Sequence, residues 1–246
     1  MSHESLGNIT LLGGSDMAGG NVKVLDLPAY TFTTPCTLCV SGTTGAGKTE
    51  WVKRLIRHKD ILFSHPPTSI YYFYGVWQKG FESLTNNVEF REGLPSNLDD
   101  FHDKSQHEEG EEEGDESRLF IIDDQMQDVV KSPEMERLFT RESHHRNISV
   151  IYITQNLFCQ GKHSRDIALN CHYIILLRNP RDVHQISILG TQTGMGKGVL
   201  EAYKESTSVP YGYLVVDLSP HNLHPDLSLK THIFPDEDTV IYSLNK

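Results

Sequence analysis

Residues 42 to 49, GTTGAGKT, satisfy G-x-x-x-x-G-K-[ST] at every fixed position. This pattern has a physical basis. Its glycines let the backbone curl until successive N–H groups point at phosphate oxygens. A helix starting at its end adds the positive end of its dipole. Lys48 then reaches the β- and γ-phosphates, and the Thr49 hydroxyl joins the shell of a magnesium ion. The candidate nucleotide site is therefore Gly42, Thr43, Thr44, Gly45, Ala46, Gly47, Lys48 and Thr49.

A second chemical feature is LFIIDDQ, residues 119 to 125, where four apolar residues run into two adjacent carboxylates. Alone, such acids mark a strand meeting water. Beside a phosphate loop they acquire a second reading, because a nucleotide-bound magnesium needs an acid from another strand. Asp123 is then the metal ligand, and Asp124 polarises the attacking water. Many motor ATPases carry Glu at this second position, and Asp is one methylene shorter. The run SVIYITQN ends in Thr154, Gln155 and Asn156. Gln155 is the candidate γ-phosphate sensor, with capping of the next turn as the competing role. RESHHRN offers Arg141 and Arg146 as a finger toward a neighbouring subunit's γ-phosphate, and LLRNPRD adds Arg178 and Arg181. Each of these arginines has the alternative of a solvated surface side chain.

Other clusters carry less. GTQTGMGKG, residues 190 to 198, resembles the phosphate loop but places Gly198 after Lys197, where Ser or Thr belongs. It reads as a flexible loop. Cys36 and Cys39 form C-x-x-C without a second pair at zinc spacing, so they read as core. Cys159, Cys171-His172 and His144-His145 have no ligand spacing either.

The elements that must position these residues follow from hydrophobic patterning. CTLCVS, SIYYFYG, RLFIID, ISVIYIT, HYIILL and GYLVVDL read as strands. Helices are expected from Gly47 to about His58, over SPEMERLFTRESHH with Ser132 as cap, over SRDIALNC and over PRDVHQISILG. A short helix is expected over WQKGFESL. Apolar strands alternating with helices predict an α/β sandwich with a mainly parallel sheet. The expected division is a flexible arm over 1–21, one domain over 22–218 and an arm or edge extension over 219–246.

The chain has 246 residues and a net charge of −11, but seven acids sit in HEEGEEEGDE, residues 107 to 116, without one base. The excess elsewhere falls to −4, and residues 131–182 hold eight Lys or Arg against five Asp or Glu. The acidic run predicts a solvated surface loop over 103–117, and a basic face stays compatible with the rest. No apolar run reaches the length of a membrane span. The first residues lack a signal peptide's basic-then-apolar pattern, so an intracellular, soluble protein is expected.

Taken in order, SGTTGAGKT, LFIIDDQ, RESHHRN, VIYITQN and CHYIILLRNPRD resemble the FtsK/HerA division of P-loop ATPases. More narrowly, they look like the genome-packaging ATPases of poxvirus-type double-stranded DNA viruses and of Polinton transposons. The likeness spans residues 35–218. It implies a P-loop NTPase of the ASCE (RecA-like) kind, a three-layer α/β sandwich. It also implies ATP and Mg2+ as cofactors and a homo-oligomeric ring, hexamer or pentamer, driving double-stranded DNA into a capsid. Capsid or portal-like vertex proteins would be partners, and the infected host cell (cytoplasm or nucleus) and the virion its places. The resemblance assigns the nucleotide site to Gly42, Gly45, Gly47, Lys48 and Thr49, the acids to Asp123 and Asp124, and the sensor to Gln155. It leaves the finger undecided among the arginines. Two other readings fit the same loop: a nucleotide-dependent switch or scaffold in virion assembly, and a small-molecule kinase. No lid or acceptor signature for a kinase stands in the sequence.

Overall fold

The most apolar runs become the central strands because both of their faces are covered. In the computed structural model, β3 (Thr37–Ser41), β6 (Arg118–Asp123), β7 (Ile148–Thr154), β8 (Tyr173–Leu177) and β9 (Tyr213–Asp217) are buried at every position. The structure describes residues 9–13, 23–25, 30–84, 88–95, 101, 117–123, 132, 135, 137–139, 143, 146–158, 167, 170–222 and 224–243, with side chains from residue 30 onward.

The other strands are β1 (Ile9–Gly13), β2 (Lys23–Leu25), β4 (Ser69–Tyr74), β5 (Glu89–Glu92), β10 (Leu229–Thr231) and β11 (Val240–Ser243). All belong to one sheet of order β2-β1-β11-β10-β9-β8-β3-β7-β6-β4-β5. From β8 to β5 every pairing is parallel. β9, β10 and β11 continue it antiparallel, and β1 returns to a parallel pairing with β11. The sheet is thus mainly parallel at its centre, as expected. β7 lies between β3 and β6. β1 falls in the stretch read as an arm, and β10 and β11 in the tail; all three are strands of the same sheet.

Alternate side chains of each central strand feed two cores. Leu38, Val40, Leu119, Ile121, Ile151 and Ile153 face one side, where Trp51, Val52, Leu55 and Ile56 of α1 (Lys48–Arg57) cover them. Cys39, Phe120, Ile122, Val150 and Tyr152 face the other. There they meet Ile186 and Leu189 of α3 (Val183–Gln192), and Val199, Ala202 and Tyr203 of α4 (Gly198–Ser206). A short α2 (Lys59–Leu62) follows α1. Helix, sheet and helix make the three layers.

Cys36 and Cys39 fall in opposite cores, so the C-x-x-C pair is packing. Burial pushes the Cys36 thiol up to about 12. Met135, Leu138 and Phe139 are buried at helical spacing, and the Met135 N–H donates to Ser132 Oγ at 3.3 Å, the cap expected there. The short helix expected over WQKGFESL is a single 3-10 turn at Phe81–Leu84.

The second glycine cluster is a correction. It is a tight corner between α3 and α4, closed by Gly196 N–H donating to Gly190 O at 2.8 Å. A Cβ on Gly190 would stand 2.1 Å from Gly196 O. Its glycines permit backbone approach where a flexible loop was expected.

Candidate nucleotide-binding site

The carboxyl ends of β3, β7 and β6 converge on one edge, because the three strands are parallel and paired Ser41 to Thr154 and Ile153 to Asp123. In such a sheet the crevice beyond the carboxyl ends is where ligands bind. A cavity of about 390 Å³ lies there, lined by Lys48, Thr49, Asp123, Thr154 and Gln155 among others. Candidates spread over more than a hundred residues of sequence thus meet in one place.

The loop from Gly42 to Gly47 joins β3 directly to α1. Gly45 and Gly47 have φ of 80° and 98°, the left-handed region in which side chains are disfavoured. Gly42 is required for a different reason, since a Cβ there would stand 2.9 Å from the Leu177 Cβ. The loop is anchored on both sides: Gly42 N–H donates to Thr154 O at 3.3 Å, and Thr43 Oγ1 donates to Arg178 O at 3.1 Å. The Lys48 ammonium arches back over it, donating to Gly42 O at 2.7 Å and Thr43 O at 3.0 Å.

Asp123 is buried at the end of β6 and accepts a 2.7 Å hydrogen bond from the Tyr72 hydroxyl of β4. Burial, and then the Asp123 carboxylate, pushes the Tyr72 phenol far above its ordinary value, so it stays a donor. Gln155 is exposed at the cavity wall. Its backbone is pinned by the RNPRD segment: buried Asn179 donates from Nδ2 to Gln155 O at 3.0 Å, and Asp182 accepts from Leu157 N–H at 3.2 Å. Asn179 and Asp182 therefore position the loop that carries Gln155.

Asp124, Arg141, His144, His145, Cys159 and residues 103–116 of the expected acidic loop lie outside the described residues. Arg146 precedes β7, at the edge of the sheet opposite the cavity. Seven strand residues separate it from Gln155, about 20 Å. It is not brought to its own chain's cavity. Arg178 and Arg181 are exposed at the carboxyl edge, beside the loop.

Tyr72, Glu50, Gln78 and Tyr211 escaped sequence reasoning. Tyr72 sits in an aromatic strand whose role needs a partner 51 residues away. Glu50 follows Thr49 directly and is paired with Lys53 at 2.7 Å; its adjacency to the motif was the available signal. Gln78 and Tyr211 reach the cavity from loops with no motif.

The family model described as "Poxvirus A32 protein" matches residues 30–187. None of the curated proteins compared matches the chain. Among solved structures, the DNA-packaging ATPase B204 from Sulfolobus turreted icosahedral virus aligns at 16% identity, TM-score 0.48, covering 74% of this chain and 92% of that one. The genome packaging NTPase B204 from Sulfolobus turreted icosahedral virus 2 aligns in complex with ATP-gammaS at 15% identity, TM-score 0.44, with the same coverages. Its complex with AMP aligns at 14% and 0.43, again covering 74% and 92%. Among the described residues, no helix is long and apolar enough to cross a membrane.

Proposed function

The chain belongs to the poxvirus A32 protein family, and we propose that it is an ATP-hydrolysing motor that packages double-stranded viral DNA. The observation that carries the reading is the meeting of Lys48, Thr49, Asp123 and Gln155 in one cavity at the carboxyl edge of a parallel sheet.

In this reading the amides of the Gly42–Thr49 loop cradle the phosphates of ATP. Lys48 exchanges the carbonyls of Gly42 and Thr43 for phosphate oxygens. Thr49 and Asp123 offer hard oxygen donors, a set that fits magnesium. The ion, when bound, neutralises charge on the β- and γ-phosphates. Tyr72 holds the Asp123 carboxylate in one orientation. Asp124 takes the proton of the attacking water, and Gln155 orients that water and senses the γ-phosphate.

The packaging half of the reading rests on family membership and on the motif order. It is a homo-oligomeric ring, hexamer or pentamer, with DNA in its channel, docked on capsid or portal-like vertex proteins in the infected cell. Arg146, far from its own cavity, and Arg141 are the arginines to present to a neighbouring subunit.

The test is ATP turnover with and without duplex DNA, alongside mass measurement with an ATP analogue. Turnover stimulated severalfold by DNA, and weakened by salt, is expected from an oligomer. A persistent monomer with DNA-independent turnover refutes the motor. Lys48→Ala should lose nucleotide, whereas Asp124→Asn should retain ATP and lose hydrolysis. Normal turnover by Asp124→Asn removes that residue from the general-base role.

A further inference from the structure

Tyr211 stands in an uncommon place. It is 73% exposed, it has φ of 60°, and it lines the nucleotide cavity. Val209, Pro210, Tyr211 and Gly212 form a turn closed by Gly212 N–H donating to Val209 O at 3.1 Å. Proline at the second position and a left-handed residue at the third is the type II pattern, which calls for glycine at the third. This chain places a tyrosine there and a glycine after it. A Cβ on Gly212 would stand 2.1 Å from Ser206 O, so the turn is pressed against the end of α4 and cannot slide by one residue.

The strain has a visible consequence. The tyrosine ring lies over the phosphate loop: three of its carbons come within 4 Å of where a Cβ on Gly47 would stand, the nearest at 2.8 Å. Only a quarter of the residue is covered, so burial does little to offset the strained backbone. Strained residues persist where the surrounding structure imposes them, and they gather at ligand sites.

Topology says which part of a ligand the ring would meet. β3 feeds the phosphate loop and is flanked by β7 on one side and β8 on the other. Asp123 and Gln155 come from the β7 and β6 side. Tyr211 precedes β9, which pairs antiparallel with β8 from Leu177 and Tyr213, so it rises on the opposite side of the loop. If the terminal phosphate faces Asp123 and Gln155, the nucleoside leaves toward Tyr211.

We infer that Tyr211 is the base platform of the nucleotide site, stacking its ring on the purine of ATP. This rests on the nucleotide reading above. Stacking needs only a π-face, so the platform accepts purines without reading their edges. Specificity for adenine over guanine must come from other groups.

The experiment compares two probes by calorimetry with magnesium present: ATP, and inorganic tripolyphosphate, which offers phosphates and no base. Tyr211→Ala and Tyr211→Gly should raise the Kd for ATP by about tenfold, a change of about 1.4 kcal/mol, and leave that for tripolyphosphate within about twofold. Tyr211→Phe should bind ATP as the wild type does. Tyr211→Gly should also fold at least as stably as wild type, because glycine relieves the turn. Equal losses for both probes would mean that the ring only supports the loop, and an unchanged ATP Kd would mean that it has no part in binding; either overturns the inference. A wild-type chain that binds neither probe overturns the nucleotide site as a whole. The Lys48→Ala variant, expected to lose both probes, separates that failure from one confined to Tyr211.

Discussion

Replacing Tyr72 with phenylalanine deletes one oxygen and leaves the ring. That ring is fully buried and packs on Phe81 and Phe90 at centroid distances of 4.8 and 5.3 Å, so Tyr72→Phe opens no cavity. What is lost is a 2.7 Å hydrogen bond to a buried carboxylate. Hydrogen bonds to charged groups contribute about 1.5–3 kcal/mol, and Asp123 would lose one of its donors. A cost of about 2 kcal/mol lowers the melting temperature of a chain this size by about 4–8 °C. The functional effect is separable. Groups that orient a metal-binding carboxylate are worth about 10- to 100-fold in metal affinity or activity. ATP turnover titrated with magnesium should therefore shift to higher magnesium by at least about tenfold. Turnover and magnesium dependence unchanged in a variant whose melting point has fallen would refute the link between Tyr72 and the metal. An unchanged melting point would refute the hydrogen bond itself.

Gly45→Ala and Gly47→Ala form a matched pair. Both residues are left-handed, at a cost of about 1–2 kcal/mol for an added side chain, but a Cβ at 45 meets open space whereas one at 47 meets Tyr211 at 2.8 Å. ATP affinity should fall in both and at least severalfold further in Gly47→Ala, as measured by calorimetry. Lys230→Met breaks a buried pair, Nζ to Asp217 Oδ2 at 3.2 Å, and leaves a buried carboxylate with the Ser219 N–H as donor and its paired charge gone. A loss of about 3–5 kcal/mol is expected in denaturant unfolding. Part of it should return in the double variant with Asp217→Leu, which removes the unpaired charge but also the acceptor of the Ser219 N–H.

The central strands were legible because burial on both faces demands unbroken apolar runs, and RLFIID, ISVIYIT and HYIILL supply them. The phosphate loop was legible because its chemistry is local: eight consecutive residues carry the glycines, the ammonium and the hydroxyl. The rest depends on partners that spacing does not reveal. Tyr72 looks like any aromatic in a strand until β4 is laid beside β6. Asn179 and Asp182 in RNPRD look like turn residues, and only the adjacency of β7 and β8 to β3 shows that they fasten the Gln155 loop. Tyr211 is concealed by a backbone angle, and β10 is a three-residue strand, too short for a periodic signal.

That short strand matters to the site. Between β10 and β11 the chain folds back on α1, the helix whose first turn carries Lys48 and Thr49. Arg54 of α1 is paired with Asp236 and Glu237, and its guanidinium lies 4.1 Å from the centre of the Phe234 ring. Trp51, one turn earlier, packs edge-on against Phe234 and Tyr213, and the Tyr213 hydroxyl donates to Glu237 at 3.1 Å. Exposed ion pairs contribute little individually. Here, however, they sit at the rim of an aromatic cluster that is itself buried, so the two act together on the placement of the helix. The axis of α1 sets where the Lys48 ammonium and the Thr49 hydroxyl stand relative to Asp123, a geometry in which shifts of an ångström change rates by orders of magnitude. The nucleotide site is therefore held from two directions. The parallel strands β6 and β7 bring Asp123 and Gln155, and the antiparallel extension beyond residue 218 holds the helix that faces them.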